Sequence, residues 1–226
     1  MGDLIIEPEK IVRAYIDIKF CAETVLEVMN ESSLKDKGIT RFFLPAEEYV
    51  RAFCQLSKLV GAVDNPTAQQ VANSLAFNFE SPLRQDSFLL FMKHLPLAHA
   101  LPAYFHEMGH IATASFTRRN DVKTKQKLIL AEMLADSFES WACEEFNNLS
   151  GGFKFNNQLY LLCYRVESQK DAETVEYRSS GVMESDWCLL KLYEKKKPKT
   201  FGNLYRILNS EVRAQQNITS LDFLIA

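Results

Sequence analysis

Two histidines and a glutamate at residues 106–110 have the types and the spacing needed for metal chemistry. His106 and His110 are four residues apart, so a helix would place their imidazoles one turn apart on the same face. Two neutral imidazoles in that position can bind one Zn²⁺, and Glu107, which stands between them, can reach a metal-bound water. The pattern HExxH therefore predicts hydrolysis by an activated water molecule.

The residues around the motif favour a buried helix. Apart from the two histidines and Glu107, the segment 101–116 has no charged residue, and a helix that is apolar on nearly all sides is usually buried. Buried polar groups need partners, and a metal ion would satisfy all three. Gly109 costs a helix about 1 kcal/mol relative to alanine, which indicates that another element packs closely there. Tight helix packing without a metal would explain the same glycine.

The third protein ligand of a catalytic zinc should come from another element. The segment 128–146 has apolar residues at helical spacing and no proline or glycine, so it predicts a helix. Glu132 can supply the ligand, and Asp136, one turn on, can accept a hydrogen bond from a ligating histidine. Glu139 is a rival ligand about 10.5 Å along the helix from Glu132, so the two cannot share one ion. Alternatively, these carboxylates form a solvated stripe.

The motif and the acidic segment together resemble a known family of enzymes. HEMGH, followed after a loop by Glu-Met-Leu-Ala-Asp-Ser-Phe, resembles the gluzincin metallopeptidases and is most similar to the ImmA/IrrE-type peptidases. The resemblance covers roughly residues 101–141, and the helix-turn-helix module that often accompanies such peptidases is missing, which puts a repressor-cleaving role in doubt. The resemblance implies that His106, His110 and Glu132 are the zinc ligands and that Glu107 is the general base. It also implies that Asp136 is the acid that orients a ligand.

The hydrophobic pattern and the resemblance predict an α+β fold of the zincin type, mostly helical, with a small sheet beside the HExxH helix. The segment 158–166 fits either a helix or a strand, and 171–181 is predicted as a loop. The predicted helices are 8–29, 45–60, 65–75, 128–146, 185–194 and 200–216, and the predicted strands are 41–44, 76–79 and 88–93.

The strand at 88–93 directly precedes the motif helix. In gluzincin-like enzymes the strand in this place edges the active-site cleft, and its free backbone groups can pair with an extended peptide. We therefore predict this role for 88–93, with an ordinary core strand as the alternative.

The length of 226 residues predicts one domain, or one domain with an appendage. Together with the resemblance, it predicts a single metallopeptidase-like domain over 1–226. Its core would span about 39–166, with the N-terminal helix 8–29 and the C-terminal segment 182–226 packed on it. A hydrophobic fraction of 47% is enough for a sizeable core.

Charge and cysteine usage limit the partners and the compartment. A net charge of −3 gives no general attraction to nucleic acid. The five cysteines are scattered and odd in number, which predicts reduced and mostly buried thiols. The chain starts without a signal-peptide pattern, and no apolar stretch approaches the roughly 20 residues that span a bilayer. We expect a cytoplasmic protein, or one delivered into a host cytosol.

The predicted function is zinc-dependent limited proteolysis of an intracellular protein or peptide, with Glu107 as the general base on zinc-bound water. The alternatives are a catalytically inactive zinc-binding regulatory or interaction module and a helical interaction protein without metal. The oxyanion of the reaction needs a further donor, which the sequence leaves open among His94, His99, Tyr160, Tyr164 and Tyr177.

Overall fold

The computed structural model describes residues 20–35, 39–59, 76–80, 87–92, 97–117, 125–151, 154–170, 182–214 and 221. The chain divides into two compact units, Met1–Glu107 and Met108–Ala226. The division falls inside one continuous helix, which carries the HExxH motif. The prediction of a single domain over 1–226 stays a prediction.

The first unit combines helices with a small sheet. Helix α1 is described over residues 20–29 and is followed by the single turn α2, Ser32–Lys35. Strand β1, Ile39–Leu44, leads through Pro45 into helix α3, Ala46–Leu59. Strands β2, Ala76–Glu80, and β3, Ser87–Met92, come next, and α3 packs against β1 and β3. The helix α4, Leu97–Thr117, begins at the end of this unit.

The sheet has the strand order β1-β3-β2, with β3 parallel to β1 and antiparallel to β2. Its strands lie where the sequence predicts them, so those three positions are confirmed. The prediction that 88–93 offers a free edge to a peptide is wrong, because β3 is the central strand and is paired on both sides. A short connection joins β2 to β3, and these two strands pair antiparallel. Between β1 and β3 the chain passes through α3 and β2, and β1 and β3 pair in parallel.

Every element that the structure describes in the second unit is a helix. They are the end of α4 and helices α5, Lys125–Leu149; α6, Gln158–Lys170; α7, Val182–Lys196; and α8, Phe201–Ala214. Helix α5 packs against α6, α7 and α8 and is buried on most of its circumference. It is therefore the centre of this unit.

The predicted α+β class requires correction to a predominantly helical fold. Helices account for most of the described residues, and no strand occurs among those described in the unit Met108–Ala226. The physical reason is the burial of α5, whose apolar faces are covered by other helices rather than by a sheet. The three strands that the structure describes lie in the first unit.

The remaining helices of the second unit agree with the sequence in position. The ambiguous segment 158–166 belongs to α6, and the helices predicted at 185–194 and 200–216 correspond to α7 and α8. The predictions for 8–19, for the helix 65–75 and for the loop 171–181 lie outside the described residues. Among the helices that the structure describes, none is long and apolar enough to cross a membrane.

Helix α8 is fixed to α5 by a tryptophan and a carboxylate. Gly202 lies so close to the Trp141 ring that an added Cβ would come within 2.8 Å of the indole nitrogen. The guanidinium of Arg206 lies 4.8 Å from the centre of the same ring, within the range of a cation–π contact. Glu144 accepts a hydrogen bond of 2.8 Å from the backbone N–H of Phe201, at the start of α8. These contacts fix α8 on the side of α5 that carries Trp141.

Candidate metal centre

The HExxH motif lies on helix α4, where buried apolar residues surround it along the helix. Leu101, Phe105 and Met108 are fully buried or nearly so, which confirms the prediction of a buried apolar helix around the motif. His106, Glu107 and His110 are themselves half-buried. The motif therefore lies along a stripe of α4 that solvent can reach.

Gly109 brings α4 into direct contact with α5. A Cβ built on Gly109 would lie 2.8 Å from the Cα of Ala135 and 3.0 Å from the Cβ of Phe138. The close approach predicted from this glycine is confirmed, and any side chain at 109 would displace backbone rather than a flexible side chain. Ala135 lies three residues after Glu132 on α5, so the contact sets the distance between His110 and Glu132.

His110 and Glu132 face each other at a distance suited to a shared ion. The Nε2 atom of His110 lies 3.7 Å from Oε1 of Glu132, and their side chains are 19% and 25% exposed. That separation is longer than a hydrogen bond, which usually spans roughly 2.7–3.2 Å. Ligand atoms around a tetrahedral ion with bonds of about 2.0–2.2 Å lie roughly 3.3–3.6 Å apart. The two atoms are therefore spaced close to the separation expected of two ligands.

His106 completes the group that the sequence predicts. One nitrogen of His106, one of His110 and one carboxylate oxygen of Glu132 all lie within 4.8 Å of one another. These residues could hold a metal ion, because two imidazoles and a carboxylate are common ligands of divalent transition metals. The partial exposure of the three side chains would leave a coordination position for water or substrate.

A second group shares His106. His106, Asp136 and Glu139 also offer ligand atoms within 4.8 Å of one another. Glu132 and Glu139 thus fall in different groups, as their spacing along α5 requires. An imidazole has two nitrogens, so His106 can face an ion with one and a carboxylate with the other. This grouping is compatible with the predicted role of Asp136, and Glu139 belongs to the same group.

Behind Asp136 lies a set of polar residues that the sequence analysis did not identify. The Ser185 hydroxyl, from α7, donates a hydrogen bond of 3.4 Å to Oδ2 of Asp136, and both residues are buried. Asp186, next to Ser185, forms an ion pair with Arg165 of α6, with Nε and Oδ1 3.0 Å apart. The only signal in the sequence is an arginine inside the apolar run 159–166.

The carboxylates around Arg165 favour its charged form by raising its pKa. Burial by itself would lower the pKa of Arg165, but the carboxylates of Asp136, Asp186 and Glu139 outweigh burial and raise the pKa above its ordinary value. Arg165 is thus a permanent cation facing three acidic groups. Two of these groups, Asp136 and Glu139, also face His106.

The candidates for oxyanion stabilisation are only partly described. Tyr160 and Tyr164 are 62% and 59% exposed, and their rings stack at 6.5 Å on the surface of α6. His99 is exposed near the start of α4, while His94 and Tyr177 lie outside the described residues. The role of these residues stays a prediction.

Comparison with known proteins adds no relative. No family model matches the chain, and no match is found among curated proteins or solved structures. The resemblance to gluzincins rests on the motif and the acidic segment alone.

Proposed function

We propose that this protein is a zinc metallopeptidase of the ImmA/IrrE type, which cleaves a peptide bond in a protein or peptide substrate. The observation that carries the proposal is the convergence of His106, His110 and Glu132 on one position. Their sequence order and spacing match the gluzincin ligands, and the geometry brings together groups that are 22 or more residues apart along the chain.

The donor set favours zinc over the hard cations. Ca²⁺ and Mg²⁺ prefer oxygen ligands, whereas two imidazole nitrogens with one carboxylate suit Zn²⁺. Three protein ligands that are each partly exposed are typical of a catalytic zinc rather than a closed structural one.

The chain's own residues supply the acid–base chemistry. A bound zinc ion would lower the pKa of a water ligand and polarise the scissile carbonyl. Glu107, adjacent to His106, would act as the general base that accepts a proton from the attacking water and returns it to the leaving amine. Asp136, which shares a group with His106, would accept a hydrogen bond from one nitrogen of His106 and so fix the tautomer of the ring.

The first test of this proposal measures metal and turnover in the same samples. Purified protein should contain close to one zinc per chain by elemental analysis. His110→Ala should lose the metal, and Glu107→Ala should keep it. Wild-type protein should cleave members of a diverse peptide library, while Glu107→Ala should lose cleavage by at least about 100-fold, the effect typical of a general base.

Glu167→Ala is the matched control, because Glu167 is an exposed glutamate on α6. This variant should retain both zinc and cleavage. Full activity of Glu107→Ala would contradict the proposed mechanism. Zinc binding without cleavage of any peptide or protein substrate would instead favour the inactive regulatory module, and purified protein without zinc would contradict both.

A further inference from the structure

The buried carboxylate of Asp136 has a supporting structure of its own. Asp136 is 6% exposed and Ser185, which donates a hydrogen bond to it, is fully buried. A buried carboxylate is costly unless charge and hydrogen bonds compensate it. The 3.4 Å hydrogen bond from the Ser185 hydroxyl is one of the contacts that hold Asp136.

Arg165 supplies a positive charge that acts on Asp136, Asp186 and Glu139. Its Nε atom is buried and lies 3.0 Å from Oδ1 of Asp186, whose side chain is 2% exposed. Asp186 directly follows Ser185 on α7, so the ion pair fixes the turn of α7 that presents the Ser185 hydroxyl to Asp136. Helices α5, α6 and α7 pack against one another, which places all these groups in one helical cluster.

The cluster connects to the metal centre through one ring. His106 shares a group with Asp136 and Glu139 and another with His110 and Glu132. An imidazole that binds a metal is oriented by the partner of its second nitrogen, and removing such a partner commonly costs about 10–100-fold in metal affinity. Whatever holds Asp136 and Glu139 in place therefore acts on the metal site.

We propose that Arg165 is a positioning residue of the metal centre: paired with Asp186, it holds Asp136 and Glu139 against His106. In this role Arg165 acts through the carboxylates that it faces. Without the guanidinium, the three clustered carboxylates repel one another, and Asp136 turns away from the ring. This inference rests on the proposed zinc site but does not depend on peptide hydrolysis.

The test compares metal affinity and the metal's spectrum in Arg165 variants. Zn²⁺ affinity is measured by competition with a chelator, and Co²⁺ substitution reports the ligand geometry through its visible absorption. Arg165→Gln should weaken Zn²⁺ binding by about 10–100-fold and should alter the Co²⁺ spectrum. Arg165→Lys, which keeps the charge, should recover part of the affinity.

Controls separate positioning from general stability. Arg213→Gln removes an exposed arginine from α8 and should change neither readout. Val212→Ala truncates a buried residue of α8 and should lower stability with the Co²⁺ spectrum unchanged. If Arg165→Gln does not fold, the double variant Arg165→Gln with Asp186→Asn removes the pair together, leaves no unpaired charge at 186, and should still weaken Zn²⁺ binding.

The outcomes distinguish this inference from the proposed function. Wild-type affinity and an unchanged Co²⁺ spectrum in the Arg165→Gln variant, or in the double variant, would overturn the positioning role and leave the zinc site intact. The same spectral change in Val212→Ala would also overturn it. Failure of the wild-type protein to bind Zn²⁺ would overturn the metal centre itself.

Discussion

Glu132 and Glu139 stand two turns apart on α5 and both lie near His106, yet their surroundings differ. Glu132 faces His110 at 3.7 Å and is partly exposed, as a ligand with access to solvent would be. Glu139 shares its group with buried Asp136 and lies among the carboxylates that face Arg165. From these surroundings we predict that Glu132 is a metal ligand and that Glu139 supports the site.

A matched pair of substitutions tests this assignment. Glu132→Gln removes a charged ligand atom and should abolish stoichiometric zinc binding. Glu139→Gln should weaken it by only about 10–100-fold, the effect of a group that orients a ligand. Dissociation constants from chelator competition give the comparison. Stronger loss in Glu139→Gln than in Glu132→Gln would exchange the two roles.

At the residue scale, the sequence predicted site residues that lie close together on one helix and missed those that approach from other helices. The spacing within HExxH and between Glu132 and Asp136 reflects one helical turn, which a sequence shows directly. Arg165, Ser185 and Asp186 approach Asp136 from two other helices, and no periodicity connects residues 29 to 50 positions apart. Such groups become visible only when the packing of α5, α6 and α7 is known.

The contact between α4 and α5 shows how an element can control the site. Gly109 permits the approach, and a side chain there meets the Ala135 backbone. Gly109→Ala should therefore push the helices apart, lower stability by about 1–3 kcal/mol through overpacking and weaken zinc binding. Denaturant unfolding and zinc competition measure the two effects.

Gly151→Ala is the control for this prediction, because a Cβ at Gly151 meets nothing within 4 Å. It should leave zinc binding at the wild-type level. An equal loss of zinc binding in Gly109→Ala and Gly151→Ala would contradict the claim that the helix contact at Gly109 sets the site.

The strands illustrate where element prediction reaches its limit. Short apolar runs located all three strands, since bulky and aromatic residues between turn residues are a local signal. Their order was not predictable from such signals, because it depends on which distant segments pair. The run Phe88–Met92 is continuously apolar, which is typical of strands covered on both sides and fits the central position of β3 better than the predicted edge.

On the scale of the whole molecule, the helical second unit is organised around α5, and the surroundings of Glu144 on this helix predict a pH dependence of stability. Burial raises the pKa of Glu144 above 4.5, the hydrogen bond from Phe201 opposes the shift, and Glu145 adds to it. A carboxyl group whose pKa is raised by folding stabilises the native state below its unfolded pKa, and that contribution is lost as the pH rises through the folded pKa.

Stability should therefore decline between about pH 4.5 and the raised pKa of Glu144 by an amount that Glu144→Gln lacks. Glutamine keeps an oxygen that can accept the Phe201 hydrogen bond, so α8 should remain in place. Urea unfolding of both proteins across this pH range measures the difference. Parallel curves for wild type and Glu144→Gln would contradict the prediction, and Glu167→Gln, at an exposed position, should follow the wild type.

The class of the fold was harder to predict than the positions of its parts. Each helix has a local pattern, but whether α5 is covered by a sheet or by helices depends on partners far along the chain. The resemblance suggested a sheet beside the motif, whereas α6, α7 and α8 supply the packing around α5. A resemblance that covers roughly residues 101–141 does not determine what surrounds that segment.

Gly202 and Arg206 pack against the ring of Trp141, so the fluorescence of this tryptophan should report on the contact between α5 and α8. Only two tryptophans are present; Trp141 is 3% exposed and Trp187 is 45% exposed. Their emission should differ in wavelength and in access to quenchers, and Trp187→Phe would leave the indole on α5 as the sole source of tryptophan fluorescence. The helix that carries Glu132 and Asp136 can then be followed by light, with no added label.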